Sequence, residues 1–223
     1  MSYTLYTHPT PNPLKVLIVL EELGVSYKTI FVDFGTDEQK SPEFLKLNPN
    51  GRIPLLIDHD ADDFAIIESG AILHYLAEKH QQLQPTDTKG KSEVMQWLMW
   101  QMGGLGPMFG QLIVFAAAFD NRIPEATDRY GKETGRLLSV LNTRLEGRDF
   151  LASSYSIADI ASMAWMPLVE RVGWDLADWP NVKAWYDRCM SRPAYTKAIE
   201  AAGTLPEEVR MSNFRNATVG LGS

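Results

Sequence analysis

Three prolines fall within six residues near the start of the chain, in the stretch His-Pro-Thr-Pro-Asn-Pro at residues 8–13. A short β-prone run at residues 3–7 precedes it, and an apolar run with helical spacing follows at once. This stiff polar turn either only connects a strand to a helix, or it holds a negatively charged ligand at the helix N-terminus, where the helix dipole favours an anion. His8, beside this turn, is a candidate base.

A second candidate is Asn-Gly-Arg-Ile-Pro at residues 50–54, where a proline enters a predicted strand. Because proline removes a ladder donor, Pro54 is either the first residue of an edge strand or part of a cis bond that turns the backbone of Ile53 outward. Only about 5% of X-Pro bonds are cis, so the residues alone favour the edge strand. An outward Ile53 backbone would pair with an extended peptide.

The third candidate is the pair Glu68-Ser69, directly before a predicted helix. Ser69 is a good N-cap, and a hydroxyl beside the uncovered N–H groups of a helix start also suits a carboxylate. Glu68 either pairs with an ammonium group or, as is more common for a lone glutamate, is a solvated charge. Capping is the simpler role for Ser69, and the two roles are compatible.

The remaining reactive residues show no spacing typical of a metal site or a catalytic triad. Cys189 is the single cysteine of the chain. One cysteine excludes an intrachain disulfide, a Cys-x-x-Cys redox pair and a cysteine-rich metal site. We expect Cys189 to be a packed thiol and the protein to hold no metal.

The first part of the chain alternates strand and helix patterns in the order β-α-β-α-β-β-α, with strands at 3–7, 26–34, 53–58 and 64–67. A linker is predicted at 83–90, and only helical patterns follow, at 91–119, 124–146, 156–171, 180–190 and 193–202. The sequence therefore predicts an α/β domain at 1–82 and an all-α domain at 91–203. A tail at 204–223 is poor in large apolar residues and is expected to lie on the surface or to be disordered.

Two features of the helical part concern structure more than chemistry. The glycines and proline at 103–107 predict a bend or interruption in the first helix, and Ser156 with Asp159 forms a capping box before another.

We expect the segment 103–121 to line the side of a second substrate, with Met108, Phe109 and Phe115 among its residues.

Composition narrows the class of protein. The chain has 223 residues and a net charge of −7, which argues against nucleic acid or an anionic membrane as a partner. No apolar run approaches the roughly 20 residues of a membrane span. We expect a cytoplasmic protein.

Taken in order, these pieces resemble the cytosolic glutathione transferase family, and within it the nu-class and Ure2-like branch. The motifs are "TPN…K…LEELG", "PEFLKLNPNGRIP", "ESGAILHYLAEK", "QWLMWQMGGLGPM", "RY…ET" and "YSIADIA", across residues 3–202. The resemblance implies an N-terminal thioredoxin-like domain with a cis-proline before its third strand, followed by an all-α C-terminal domain.

The resemblance also implies a glutathione site. Its sulfur would lie by Thr10 and Asn12, and the backbone of Ile53, before the cis Pro54, would bond to the cysteinyl unit. Glu68 and Ser69 would hold the γ-glutamyl end. The carboxylates would lie near two further side chains, Gln39 and Arg52. A homodimer is implied, in which Arg129 reaches the neighbouring site.

The activity implied is glutathione-dependent disulfide reduction, with one or two glutathiones or the disulfide form bound and with conjugation or peroxide reduction as weaker activities. A transferase that conjugates electrophiles and a Ure2-type regulator without turnover are the alternatives. That regulator has a long Asn/Gln-rich N-terminal extension, whereas the first strand here starts at Tyr3, which favours an enzyme.

One residue departs from the branch, because Pro13 follows Asn12 where its members usually have glycine. A residue before proline is disfavoured in the α region, so we expect Asn12 to be the N-cap and Pro13 the first helical residue.

Overall fold

The computed structural model describes residues 1–118 and 123–203. The chain forms two compact units, one made of Met1–His80 with the described residues from Pro193 onward, the other of Gln81–Arg192. Within the described residues, no helix is both long and apolar enough to cross a membrane. The tail predicted at 204–223 lies outside the described residues.

The first unit is built on a mixed four-stranded sheet. Its strands are β1 (Tyr3–Thr7), β2 (Tyr27–Phe31), β3 (Leu55–Asp58) and β4 (Phe64–Ile67), and its first three α-helices are α1 (Pro11–Leu23), α2 (Pro42–Leu47) and α3 (Ser69–His80). The order across the sheet is β2-β1-β3-β4, with β1 and β2 parallel and the other two pairs antiparallel. The predicted thioredoxin-like order is confirmed. Because β3 is a central strand, the edge-strand interpretation of Pro54 is wrong.

Helix α1 forms the centre of this unit. Every residue from Pro13 to Leu20 is buried, and α3 and a late helix, α9 (Pro193–Ala202), pack against it. The sequence had grouped residues 193–202 with the helical domain at 91–203, but in the structure this helix covers α1. Its amphipathic pattern specifies an apolar face without specifying which surface that face covers.

The second unit is helical. Its α-helices are α4 (Thr88–Trp100), α5 (Gly106–Ile113), α6 (Pro124–Arg144), α7 (Ile157–Met163) and α8 (Pro180–Met190). The first of these begins inside the predicted linker 83–90, since the Asp87 side chain accepts from the Gly90 amide at 2.9 Å and caps it. The helix predicted at 156–171 ends early and continues as short 3₁₀ turns.

The interruption predicted around 103–107 takes the form of a π-helical segment, Gln101–Leu105, between α4 and α5. A Cβ at Gly106 would lie 2.6 Å from Gln101 Nε2 and 3.2 Å from the Trp165 ring, so a larger residue here would force these side chains to shift. Phe109, expected to help line the side of a second substrate, is instead fully buried beside Trp165. Of the segment 103–121 expected to line that side, residues 119–121 lie outside the described residues.

The capping box predicted at Ser156 and Asp159 is confirmed. The buried Asp159 carboxylate accepts from the Ser156 and Leu151 amides at 3.0 and 2.9 Å and from Trp185 Nε1 at 2.9 Å. These bonds fix the start of α7 and tie it to α8, and they leave this carboxylate a structural role.

Candidate functional site

One edge of the sheet gathers three chain segments that the sequence singled out. Tyr6, near the end of β1, pairs with Leu55 at the start of β3, and Leu55 pairs with Ile67 at the end of β4. The turn after β1, residues 53–54 before β3 and residues 68–69 after β4 therefore meet at the same edge. The helices that follow two of these segments, α1 and α3, both begin there and direct their N-termini to it.

The turn into α1 differs from the expectation at one residue. Thr10 is the N-cap, with φ −132° and ψ 162°, and Pro11 is the first helical residue, so the prediction that Asn12 caps the helix is wrong. Pro11 drives the residue before it into extended backbone, which makes Thr10 the cap. Pro13 then lies within the first turn, where no carbonyl one turn back clashes with its ring. Asn12 is consequently helical and partly exposed at the helix start.

The two prolines reduce the number of donors at this helix start. The first N–H groups of a helix have no acceptor within it, but Pro11 and Pro13 have no N–H at all. The Thr10 amide donates to the His8 carbonyl at 2.7 Å, and the Leu14 amide closes the first helical bond, to the Thr10 carbonyl at 3.3 Å. Between them, Asn12 supplies the one main-chain N–H, together with its side-chain amide. The Thr10 hydroxyl makes no capping bond.

His8 anchors this turn and is not placed to act as a base. Its side chain is buried, its Nδ1 lies 3.0 Å from the Val32 carbonyl, and its ring lies between Phe31 and Phe34 with centroids 4.7 and 4.5 Å away. Burial lowers the pKa of the imidazole and outweighs the hydrogen bond to Val32, which acts to raise it. The ring is therefore neutral at pH 7 and donates to the carbonyl.

Hydrogen bonds within the loop stabilise the segment before β3. The Ile53–Pro54 bond is cis, as the family resemblance implied. Asn48 Nδ2 donates to the Arg52 carbonyl at 2.6 Å, and Asn48 Oδ1 accepts from the Asn50 amide at 3.0 Å. These bonds fix the backbone that leads into Ile53, which precedes the first paired residue of β3.

The start of α3 also differs from the expectation. Ser69 is the first helical residue and not the N-cap, because the Ile72 amide bonds to the Glu68 carbonyl at 2.9 Å. Glu68 has φ +67°. A non-glycine residue in the left-handed region costs about 1–2 kcal/mol, and such strain persists where the surroundings enforce it, often at functional sites. The Ser69 side chain therefore does not occupy the N-cap position of α3.

The sequence analysis missed Lys15. This residue is fully buried in α1, and its Nζ donates to Ser69 Oγ at 3.3 Å. Burial lowers the pKa of its ammonium to about 7, against the opposing field of Glu68. The available signal was a single charge inside the run Leu-Lys-Val-Leu-Ile-Val-Leu, at a helical position surrounded by core residues.

The other predicted ligand residues lie in different surroundings. Gln39 is buried, its Nε2 donates to Asp37 Oδ1 at 3.1 Å, and its Oε1 has no partner among the described residues. Arg52 is exposed beside the loop that leads to Ile53. Arg129 belongs to the second unit, where it lies exposed in a charged groove along α6 that includes Glu133 and Arg136.

The single cysteine of the chain belongs to the second unit. Cys189 is fully buried in α8 of the second unit. Across residues 1–118 and 123–203, no group of three or more His, Cys, Asp or Glu side chains is placed to hold a metal ion. The two helix starts at this edge supply hydrogen-bond donors that suit an anion.

Known families match both parts of the chain. The model described as Glutathione S-transferase, N-terminal domain, matches residues 1–78, and the corresponding C-terminal domain model matches residues 107–193. The chain belongs to the glutathione S-transferase family. The fold expected from the resemblance is confirmed by these matches.

Two curated relatives lie in the expected branch. The glutathione S-transferase described here is 46% identical over 200 residues to Disulfide-bond oxidoreductase YfcG of Escherichia coli (strain K12), across 87% of this chain and 93% of that protein. It is 36% identical over 238 residues to Transcriptional regulator URE2 of Saccharomyces cerevisiae (strain ATCC 204508 / S288c), across 88% of this chain and 67% of the regulator.

Two solved structures contain glutathione. One is a glutathione transferase from Burkholderia graminis with two glutathione molecules bound per subunit (45% identity, TM-score 0.82, 88% of this chain and 86% of that one). The other, from Pseudomonas putida, has one glutathione disulfide per subunit (41% identity, TM-score 0.84, 90% and 92%).

Proposed function

We propose that this protein is a glutathione-dependent disulfide-bond oxidoreductase in which the thiolate of bound glutathione makes the attack. The observation that carries the proposal is the start of α1, where Thr10 and Asn12 offer donors at the sheet edge while the only cysteine is buried in the other unit. A thioredoxin-like domain without an accessible cysteine needs a thiol from its ligand. The similarity to YfcG and to proteins with bound glutathione supports this choice of ligand.

In the proposed complex the tripeptide lies along the shared edge. Its γ-glutamyl carboxylate binds at the start of α3 through Ser69, and its ammonium pairs with Glu68. The backbone of Ile53 bonds to the cysteinyl unit as an added strand residue would. This places the sulfur toward Thr10 and Asn12, while Gln39 and Arg52 lie on the side of the remaining carboxylate.

Activation of the thiol then needs no general base. A cysteine-type thiol has a pKa near 8.5, and each 1.36 kcal/mol of preference for the thiolate lowers that value by about one unit. A helix N-terminus contributes about 0.3–1 kcal/mol and a hydrogen bond to a charged acceptor about 1.5–3 kcal/mol. Together they lower the thiol pKa by ~1–3 units, which raises the thiolate fraction at pH 7 from about 3% to between about a quarter and nearly all of the bound thiol.

The reaction proceeds in two exchanges. The thiolate attacks one sulfur of the substrate disulfide, a new S–S bond forms, and the departing thiolate takes a proton from water. A second glutathione thiolate attacks the mixed disulfide at the glutathione sulfur, which yields glutathione disulfide and releases the second substrate thiol. The two glutathiones per subunit in the Burkholderia graminis relative suit this second step.

One assay separates the candidate functions. Purified protein is given hydroxyethyl disulfide and, separately, chlorodinitrobenzene, each with glutathione under identical conditions. We expect the disulfide to be reduced faster, and we expect Cys189→Ala to retain that rate because the buried thiol takes no part. Faster conjugation would favour the transferase, and glutathione binding without either turnover would favour a Ure2-type regulator.

We further propose a homodimer in which Arg129 completes the partner's glutathione site. Arg129 and Arg136 are both exposed on α6 in the same charged groove, which makes Arg136→Ala a matched control. We expect Arg129→Ala to weaken glutathione binding about tenfold, the effect of losing one charge-assisted hydrogen bond. Equal affinities for glutathione in the two variants, measured by calorimetry, would remove Arg129 from the site.

A further inference from the structure

Helix α1 contains a positive charge where a globular protein normally places none. Lys15 is fully buried, and every residue from Pro13 to Leu20 is buried with it. Removing an ammonium from water is costly unless it is paired and hydrogen-bonded, so a lysine in this position stands in contact with groups that offset the cost. Two of those groups, Ser69 and Glu68, belong to the candidate site.

The contacts of Lys15 connect the two helix starts of the site. Its Nζ donates to Ser69 Oγ at 3.3 Å, across 54 residues of sequence, and Glu68 is the charged group whose field favours its ammonium form. Lys15 lies one helical turn after Asn12 on α1, and Ser69 opens α3. The same cation therefore adjoins both residues proposed to hold the γ-glutamyl end.

We propose that Lys15 is the positioning residue of the carboxylate subsite at the start of α3, and that it acts through Ser69. An ammonium can only donate a hydrogen bond, so the Ser69 oxygen serves it as acceptor and the hydroxyl proton is directed to the bound carboxylate. A neutral amine has a lone pair and accepts the hydroxyl proton instead, which turns the donor away from the ligand. This inference rests on the proposed function, which places a glutathione carboxylate at Ser69.

The protonation of Lys15 is consequently coupled to ligand binding. Burial lowers its pKa to about 7, with Glu68 opposing the effect, so the free protein loses this charge near neutral pH. A bound carboxylate favours the ammonium and raises that pKa, so binding takes up a proton above pH 7 and weakens as the pH rises. The elements packed on α1 contribute these further titratable groups: His74, Tyr75, Glu78, Lys79 and His80 of α3, and Tyr195, Lys197 and Glu200 of α9.

S-methylglutathione is the appropriate probe, because it has the carboxylates of glutathione and no thiol to titrate. Calorimetry between pH 6 and 8.5, repeated in buffers of different ionisation enthalpy, gives both the affinity and the number of protons taken up. If the ligand raises the Lys15 pKa from about 7 to about 8, the wild-type protein loses about sevenfold in affinity over this range and takes up about half a proton at pH 7.5.

Three variants separate the contribution of Lys15 to ligand binding from other contributions. Lys15→Met removes the charge at similar volume, and we expect weaker binding at pH 6, with only the pH slope and proton uptake that the α-amine of the ligand itself contributes. Lys15→Arg keeps a charge at every pH. We expect this variant to bind S-methylglutathione more tightly than Lys15→Met does, and without a pH slope from this position. Lys28→Met, an exposed change on β2, is the matched control and should behave as the wild type.

The outcomes distinguish this inference from the proposed function. Wild-type binding without a pH slope or proton uptake beyond those of the ligand amine, or a Lys15→Met variant with the wild-type slope, overturns the role of Lys15 and leaves glutathione as the ligand. A wild-type protein that binds no S-methylglutathione overturns both. If Lys15→Met does not fold, as judged by circular dichroism, the proton uptake of the wild type and the smaller pH slope of Lys15→Arg decide the matter.

Discussion

Replacing Asn12 with alanine tests the proposed thiolate site most directly. The change removes the side-chain amide but keeps the Asn12 main-chain N–H and the Thr10 hydroxyl, so one donor out of three is lost at a helix start that two prolines have already depleted. A hydrogen bond to a charged acceptor contributes about 1.5–3 kcal/mol, and the lower end applies because Asn12 is partly exposed. We therefore expect the pKa of the bound thiol to rise by about one unit.

The effect on rate depends on pH, and its sign changes. If the bound thiol has a pKa of ~6.5 in the wild type and ~7.5 in the variant, the thiolate fraction at pH 6 falls about eightfold. A thiolate of higher pKa is also more nucleophilic, by about threefold per unit for a Brønsted coefficient near 0.5. Disulfide reduction should thus be about two- to threefold slower at pH 6, nearly unchanged at pH 7 and about threefold faster at pH 9.

The assay combines the pH profile of hydroxyethyl disulfide reduction with the ultraviolet absorbance of the bound thiolate. Asn12→Asp provides a check of sign, because it keeps the shape, removes the donor and places a carboxylate beside the thiolate, which should raise the thiol pKa further. Profiles of wild type and Asn12→Ala that superimpose from pH 6 to 9 would refute Asn12 as a thiolate donor.

Two further predictions concern the framework of the site. Gly51→Ala should lower the free energy of unfolding in urea and also weaken glutathione binding, because Gly51 has φ +61° and a Cβ there would lie 3.2 Å from the Gln39 carbonyl. Gly147→Ala, with φ +66° and open space, should cost only the ~1–2 kcal/mol of backbone strain. Burial disfavours ionised Asp58, but hydrogen bonds from Lys79 and Tyr75 outweigh it and lower its pKa. The resulting stability is present above the unfolded pKa near 3.9 and is lost as the pH falls through the folded pKa. Lys79→Met should therefore lower the free energy of unfolding in urea by about 1–3 kcal/mol at pH 7 and by less below pH 4.

The order of elements in the first unit was predictable because short strands bounded by turn residues give a clear local signal. The cis form of Ile53–Pro54 was not predictable from the residues alone, since the local preference favours trans, and only the family resemblance implied it. The same limit applies to α9, whose apolar face could have covered either unit until packing against α1 decided.

At the candidate site, the sequence did not predict the backbone positions of two residues correctly. Both predicted caps, Asn12 and Ser69, lie inside the helix, because each is preceded by a residue that takes the capping position. For Thr10 the cause is local, since Pro11 restricts it. For Glu68 it is not, because no local rule favours φ +67° at a glutamate. Lys15 was overlooked because the burial of a charged residue within an apolar run can be inferred only when the run is known to be buried on all sides.

The starts of α1 and α3 differ in the number of hydrogen-bond donors that they offer to a ligand. Helix α3 opens with Ser69, Gly70 and Ala71, all of which have a main-chain N–H, and it adds a hydroxyl and the buried ammonium of Lys15. Several convergent donors suit a carboxylate, which has two oxygens and about four lone-pair sites. Helix α1 opens with Pro11, Asn12 and Pro13 and offers a single main-chain N–H. A carboxylate at that position would remain poorly satisfied, whereas a thiolate is one large, weakly hydrated acceptor. In the proposed complex the prolines around Asn12 therefore favour sulfur over oxygen at α1, and we expect the γ-glutamyl end of glutathione to bind at α3.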